Sequence, residues 1–222
     1  MSREAVEVET GRTPTGSVIW LHGLGADGHD FEPLVPELVQ PAERALRFVF
    51  PHAPIRPVTL NGGYAMRAWY DIAALDRRMP EDKSGIRASR AAIDTLIRRE
   101  NSRGIASERI VLAGFSQGGA MALFAGTRYP EKLGGIMGLS CYLLLAARLG
   151  AERSAANQST PVFLAHGRQD PVVALLLGQH AHQALEASGY PVEWHAYDMP
   201  HSLCPQEVTD IAAWLRRVLP EE

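Results

Sequence analysis

The stretch VLAGFSQGGAMALFA, residues 111–125, decides the fold. It joins an apolar run typical of a buried strand to an Ala/Gly-rich helix, and the motif G-x-S-x-G lies at the junction, in residues 114–118 (the serine turn). Such a turn holds its central residue at strained backbone angles and lifts the hydroxyl clear of the sheet, while the flanking glycines avoid steric collision. The pattern alone is weak, but with its strand and helix in place it predicts that Ser116 is a nucleophile.

Outward from this turn, strand-like and helix-like segments alternate along the chain. Six short runs, several of them apolar on both faces, are predicted to be strands: 17–21, 46–50, 109–114, 134–140, 161–167 and 192–197. Apolar residues at helical spacing predict helices over 86–100, 172–187 and 206–219, and one over 117–127 after the serine. AVEVET near the start alternates like an antiparallel edge strand. We interpret the chain as an α/β fold, a mostly parallel central sheet with helices on both faces.

Composition predicts one domain. The chain has 222 residues, 46% of them hydrophobic and 21% charged, which suits one globular unit over 1–222. No repeat, low-complexity segment or linker is visible. The exception to regular structure is 51–83, where prolines, paired glycines and aromatic residues interrupt any period. We expect an irregular loop or lid that flanks a site.

Charge and hydropathy exclude several classes of function. A net charge of −3 and a pI near 6.2 give no electrostatic footprint for nucleic acid. No apolar run approaches the roughly 20 residues of a membrane span, and the charged N-terminus lacks a signal-peptide core. Cys141 and Cys204 have no metal-ligand spacing, so we expect reduced thiols in a cytoplasmic protein, although the sequence leaves a disulfide between them open.

A serine hydroxyl needs a base that a carboxylate orients. On this architecture the partners follow the serine in the order acid, then histidine, each after a later strand. Asp170 comes directly after the strand at 161–167, and His201 follows the strand at 192–197. Two other acids compete with Asp170: Asp71, which precedes the serine, and Asp198, three residues before His201. Structural or cleft-lining roles suffice for the remaining histidines: His22, His29, His52, His166, His180, His182 and His195.

HGLGADG, residues 22–28 (the glycine loop), contains a literal G-x-G-x-x-G and raises the question of a dinucleotide site. That fingerprint needs an acidic residue about 20 positions on, at the end of the second strand, to hold the ribose. The strand at 46–50 is followed by Pro-His-Ala-Pro instead. We therefore expect an oxyanion hole built from the backbone N–H groups of Leu24 and Gln117, with glycines 23, 25 and 28 letting backbone amides face the site without side chains in the way.

Six motifs together resemble the carboxylesterase/acyl-protein thioesterase (phospholipase/carboxylesterase) family of small serine hydrolases: FSQGGA, HGLGADG, FPHAP, AWYDI, HGRQDPVV and PHSLCPQE. They stand in family order from about residue 17 to 216. The resemblance implies the small α/β-hydrolase fold, no cofactor and no metal. It assigns these residues: Ser116 as nucleophile, Asp170 as acid, His201 as base, and Leu24 and Gln117 as oxyanion donors. One departure is Asp-Met-Pro before His201, where the family often has Gly-Met-Gly.

The substrate implied by this resemblance is a carboxylic ester with a short to medium acyl chain, or an acyl thioester. It is either a small molecule or an acylated protein. Bacterial members of this family are often dimers, so the resemblance also allows a homodimer. We expect the pocket walls to come from 60–80 and 141–149, with Trp69 and Leu144 as candidate substrate contacts, although core packing is the simpler role for leucines 143–145. The alternative function is a non-catalytic binding protein that keeps the pocket.

Overall fold

The computed structural model describes residues 5–39, 44–74 and 80–221. Seven strands form one sheet in the order β1-β3-β2-β6-β7-β8-β9, and β4 and β5 form a separate hairpin. The strands of the described ranges are β1 (Ala5–Glu9), β2 (Gly16–Leu21), β3 (Leu46–Pro51), β4 (Ile55–Val58), β5 (Tyr64–Arg67), β6 (Ile110–Phe115), β7 (Gly135–Leu139), β8 (Val162–Gly167) and β9 (Val192–Tyr197).

The α-helices lie in the connections between these strands, except the last, which follows β9. They are α1 (Val35–Leu38), α2 (Lys83–Ser102), α3 (Gln117–Gly126), α4 (Leu149–Glu152), α5 (Leu175–Ala187) and α6 (Pro205–Val218). The four predicted helices are confirmed with small shifts at their ends. In the part of the chain that the structure describes, no helix is both long and apolar enough to cross a bilayer.

Pairing in the large sheet is parallel from β3 to β9, and β1 runs antiparallel to β3 at one edge. Every residue of β2, β3 and β8 is buried, as expected for strands covered on both faces. The predicted edge strand and mostly parallel sheet are confirmed. Because parallel strands end at the same edge, β2, β6, β8 and β9 bring the segments that follow them together.

Helices cover both faces of the sheet. Apolar side chains of α2, α3 and α5 pack on one face, and those of α1 and α6 pack on the other. Alternate residues of each strand serve the two cores, since successive side chains point to opposite faces. Cys141 lies in the first core and Cys204 packs against the second, and both thiols are free, so the disulfide that the sequence left open is not formed.

Residues 51–83, predicted to be an irregular loop, contain regular structure. β4 and β5 pair antiparallel, a 3-10 turn follows β4, and α2 begins at Lys83. The prediction missed this hairpin because its strands are four residues long, β4 contains Pro57, and much of both strands is exposed, so no buried face imposes an alternating pattern. Residues 75–79 of the segment lie outside the described residues.

Candidate active site

The serine turn connects β6 to α3. Ser116 has φ 55° and ψ −120°, a backbone conformation that residues other than glycine rarely adopt. A Cβ on Gly114 would lie 2.3 Å from the backbone of Gly118, and one on Gly118 would lie 2.2 Å from the carbonyl oxygen of Leu21. Both glycines of the motif are therefore required by close backbone packing, in agreement with the expected reason for them.

The structure brings Ser116, His201 and Asp170 into one hydrogen-bonded chain. His201 Nε2 lies 3.0 Å from Ser116 Oγ, and His201 Nδ1 lies 2.6 Å from Asp170 Oδ2. The other carboxylate oxygen of Asp170 accepts the backbone N–H groups of Val172 and Val173, each at 2.8 Å. An ionised carboxylate can only accept, so His201 carries its proton on Nδ1 and leaves Nε2 free to accept the serine proton.

Packing around this chain comes from Phe115, which the sequence did not indicate as a site residue, and from His166. The Phe115 ring lies 4.7 Å from the His201 ring, centroid to centroid, at an interplanar angle of 45°. His166 is buried and hydrogen-bonds through Nε2 to the Val173 carbonyl, so it braces the turn that holds Asp170. Burial lowers the pKa of His166 below its usual range, in keeping with the structural role expected for it. The sequence carried one signal for the role of Phe115, its position at the end of β6 directly before Ser116.

The two competing acids lie elsewhere. Asp71 accepts both the backbone N–H and the hydroxyl of Thr59, beside the hairpin. The Asp198 side chain is 76% exposed and pairs with Arg168 at 3.0 Å. Neither carboxylate has a hydrogen bond to His201 among the described contacts, so the hydrogen-bond partner of the histidine is Asp170.

The glycine loop approaches the serine turn from β2. A Cβ added to Gly23 would lie 3.5 Å from Ser116 Cβ. The N–H of Gly25 donates to the carbonyl of Arg67 at 2.9 Å, and the N–H of Gly28 donates to His52 Nδ1 at 3.0 Å. The N–H groups of Gly25 and Gly28 therefore tie the loop to its surroundings.

Two backbone donors remain unused beside the serine. Within the described ranges, the N–H groups of Leu24 and Gln117 have no hydrogen-bond acceptor. These are the two groups predicted to form the oxyanion hole. No helix begins at Gly28, since the next helical turn starts at Glu32, so the loop lacks the helix N-terminus that would hold a dinucleotide phosphate.

Hydrogen bonds from buried side chains hold the glycine loop in place. His22 is 1% exposed, and its Nδ1 lies 2.7 Å from the Gly23 carbonyl oxygen, while its Nε2 accepts the Ala53 N–H at 3.0 Å. Burial lowers the pKa of His22 to about 4. The indole N–H of Trp69 donates to the carbonyl of His22 itself at 2.9 Å.

The side chain of Gln117 links the serine turn to the same support. Its Oε1 accepts the Trp69 backbone N–H and its Nε2 donates to the Tyr70 carbonyl, both at 2.8 Å. Trp69 therefore contacts both segments that carry the unused donors. The signal for these contacts was absent from the sequence, since the partners lie 47 or 48 residues apart.

The candidate substrate contacts are both buried. Trp69 lines a cavity of about 500 Å³ between the segment after β3 and α2, and no residue of the Ser-His-Asp chain lines it. Leu144 is 1% exposed, belongs to the core beneath α2 and α3, and borders a cavity of about 30 Å³. Neither cavity is lined by Ser116, Asp170 or His201. Among the described residues, no group of three His, Cys, Asp or Glu side chains could hold a metal ion.

Comparisons with known proteins show which family and fold the chain resembles. The family model described as phospholipase/carboxylesterase matches residues 3–219. Acyl-protein thioesterase 1 of Neurospora crassa is 42% identical over 217 residues, which cover 93% of this chain and 88% of that protein. The crystal structure of Arabidopsis thaliana SOBER1 superimposes with a TM-score of 0.86 at 31% identity, covering 92% of this chain and 99% of that one. Zea mays acyl-protein thioesterase 2 gives 0.83 at 30% identity, covering 97% and 98%.

Proposed function

The chain belongs to the phospholipase/carboxylesterase family, and we propose that it cleaves carboxylic esters and acyl thioesters with Ser116 as its nucleophile. It is a serine hydrolase of the esterase and thioesterase class. The observation that carries the assignment of residues is the unbroken hydrogen-bonded chain from Ser116 through His201 to Asp170, at a turn whose backbone strain aims the serine out of the sheet.

Acylation begins when His201 Nε2 takes the proton of the Ser116 hydroxyl as its oxygen attacks the substrate carbonyl carbon. The carbonyl oxygen becomes an oxyanion, which the N–H groups of Leu24 and Gln117 stabilise. Collapse of this intermediate expels the alcohol or thiol, which receives the proton from His201. The acyl group is now an ester of Ser116.

Deacylation repeats these steps with water as the nucleophile. His201 takes a proton from water, the hydroxide attacks the acyl-enzyme carbonyl, and the same two N–H groups bind the second oxyanion. Release of the carboxylic acid returns the proton to Ser116. Asp170 holds His201 in the Nδ1–H tautomer throughout and stabilises the imidazolium that forms in each half of the cycle.

For the natural substrate we propose an acyl thioester or ester of short to medium chain, including one carried on a protein. The support is the name shared by several relatives, acyl-protein thioesterase 1, at about 40% identity over nearly the whole chain. Parallel ester and thioester series from two to sixteen carbons would rank these substrates by kcat/KM. A preference that falls on long chains alone would contradict the chain-length part of the proposal.

The assignment of Ser116 is tested by covalent labelling with an alkyl fluorophosphonate, read by intact mass. We expect one adduct on the wild-type protein and none on Ser116→Ala. Both proteins should unfold at the same temperature, because the hydroxyl makes one hydrogen bond at a partly exposed position. A wild-type protein that forms no adduct and hydrolyses no ester would favour the non-catalytic binding protein instead.

A further inference from the structure

We propose that His22 is a positioning residue for the oxyanion hole: its ring fixes the peptide between Gly23 and Leu24 so that the Leu24 N–H faces Ser116. The proposal rests on the proposed function, since it explains how one of the two oxyanion donors is held. His22 touches neither the serine nor the acyl group; it acts only through this peptide.

The tautomer of His22 follows from its two partners. The Ala53 backbone N–H can only donate, so His22 Nε2 must be the unprotonated nitrogen that accepts it. The ring proton therefore lies on Nδ1, where it donates to the carbonyl oxygen of Gly23 at 2.7 Å. A buried ring whose pKa is about 4 stays neutral over the working range of the enzyme, so this arrangement does not change with pH near neutrality.

The carbonyl that His22 holds belongs to the same planar unit as the proposed oxyanion donor. In a trans peptide the C=O of one residue and the N–H of the next point in opposite directions, and the Gly23–Leu24 bond is trans. Holding the Gly23 oxygen against His22 and the Ala26 N–H, 3.3 Å away, therefore turns the Leu24 N–H to the opposite side. Because glycine permits wide backbone rotation, this peptide needs such a restraint.

The preceding peptide is restrained as well. The Trp69 indole N–H binds the carbonyl of His22, and the Arg67 guanidinium binds the carbonyl of Ala53, the residue whose N–H fixes the His22 ring. Each contact positions the next, from the segment around β5 to the Gly23–Leu24 peptide. The glycine loop is thus oriented by the His22 ring, and His22 is too deeply buried to contact a substrate.

Two substitutions, each of which keeps one of the two hydrogen bonds of the His22 ring, distinguish a positioning role in catalysis from a purely structural role. The Asn side-chain N–H can replace His Nδ1 and still donate to Gly23, while the Gln side-chain oxygen can replace Nε2 and still accept from Ala53. We expect His22→Asn to keep kcat within about threefold but to melt at a lower temperature, since it leaves the Ala53 N–H unpaired. We expect His22→Gln to lose about 100-fold in kcat at unchanged KM, the usual cost of one oxyanion donor. Its melting temperature should fall less than that of His22→Asn.

The affinity of an aliphatic trifluoromethyl ketone gives a second readout. Its adduct with the serine carries an oxyanion, so its inhibition constant should rise about 100-fold in His22→Gln and not in His22→Asn. His182→Gln is the control, because His182 lies on α5, where its ring pairs with Glu186 and stacks on Trp194. It should leave both kcat and inhibition unchanged.

The outcomes distinguish this inference from the function beneath it. If wild-type protein takes no fluorophosphonate, the proposed function fails. If wild-type protein is active and His22→Gln matches it, or if activity follows melting temperature in both variants, His22 is only structural. Should a variant not fold, 15N chemical shifts of the wild-type histidines still decide, because an Nε2–H tautomer at His22 would overturn the proposal.

Discussion

The serine turn and the glycine loop supply the two halves of the site, and they are held in opposite ways. Steric contact holds the serine turn: added methyl groups at Gly114 and Gly118 would fall within 2.3 Å of backbone atoms. Hydrogen bonds from side chains hold the glycine loop, through His22, His52 and Trp69. A region fixed by steric contact fails when anything is added, whereas a region fixed by hydrogen bonds fails when a partner is removed.

This difference separates two kinds of mutational effect. Changes at the glycines of the serine turn act first on folding, because these glycines are part of the packing between β2, β6 and α3. Loss of the hydrogen bond from His22 to the Gly23 carbonyl acts first on catalysis, because the loop can relax without opening the core.

The largest effect is expected at the carboxylate that orients the base. Asp170→Asn should lower kcat by about 10⁴-fold, because the amide no longer forces the proton of His201 onto Nδ1. Folding should survive, since the retained oxygen still accepts the N–H groups of Val172 and Val173. Hydrolysis of p-nitrophenyl butyrate and urea unfolding measure the two quantities. A loss below tenfold would return the role of acid to Asp198 or Asp71.

Two glycines test the steric half of the comparison. Gly118→Ala should lower the free energy of unfolding by about 3 kcal/mol or more, because its methyl group would lie 2.2 Å from the Leu21 carbonyl oxygen. Gly23→Ala should cost below about 1 kcal/mol, because its nearest neighbours lie at 3.5 Å, an ordinary contact. Urea denaturation compares them. Equal losses would show that the glycine loop is packed as tightly as the serine turn.

Acid should weaken the glycine loop through His22. The pKa of His22 is about 4 in the folded protein and about 6.5 in the unfolded chain, so the unfolded ring binds a proton first as the pH falls. Stability relative to His22→Asn should therefore fall between pH 6.5 and 4, by about 1.4 kcal/mol per pH unit at most, and level off below pH 4. Parallel pH profiles of unfolding for the two proteins would contradict this.

The smallest effect is expected at the competing acids. Asp71→Asn and Asp198→Asn should each keep kcat within about threefold, since surface substitutions change free energies by ~0.5 kcal/mol. One carboxylate binds Thr59 and the other an exposed arginine, so neither holds the base. A large loss of kcat at either position would show that the acid reaches His201 in solution.

The sequence predicted the central sheet well, because strands buried on both faces read as continuous apolar runs. It also placed Ser116, Asp170 and His201 in chain order, and the structure gives the distances that join them. The hairpin escaped prediction because exposed strands carry no hydrophobic period.

The support of the glycine loop could not be predicted for a different reason. The indole of Trp69 and the side chain of Gln117 reach backbone groups 47 residues away, and such bonds leave no local spacing to recognise. The sequence favoured a structural hydrogen-bonding role for His22, and its two partners became visible only in the fold. Sequence patterns therefore predicted the proposed reacting groups but not the side chains that hold the glycine loop.

The pairing of β2 with β6 has a consequence for refolding. Leu21 lies opposite Gly114, so the glycine loop and the serine turn leave adjacent strands at the same level. A slip of one residue would turn the apolar side chains of a strand to the wrong face and also carry Leu24 away from Gln117. Recovery of ester hydrolysis during refolding thus reports the register of the two central strands. Circular dichroism measures only secondary-structure content and does not resolve that register.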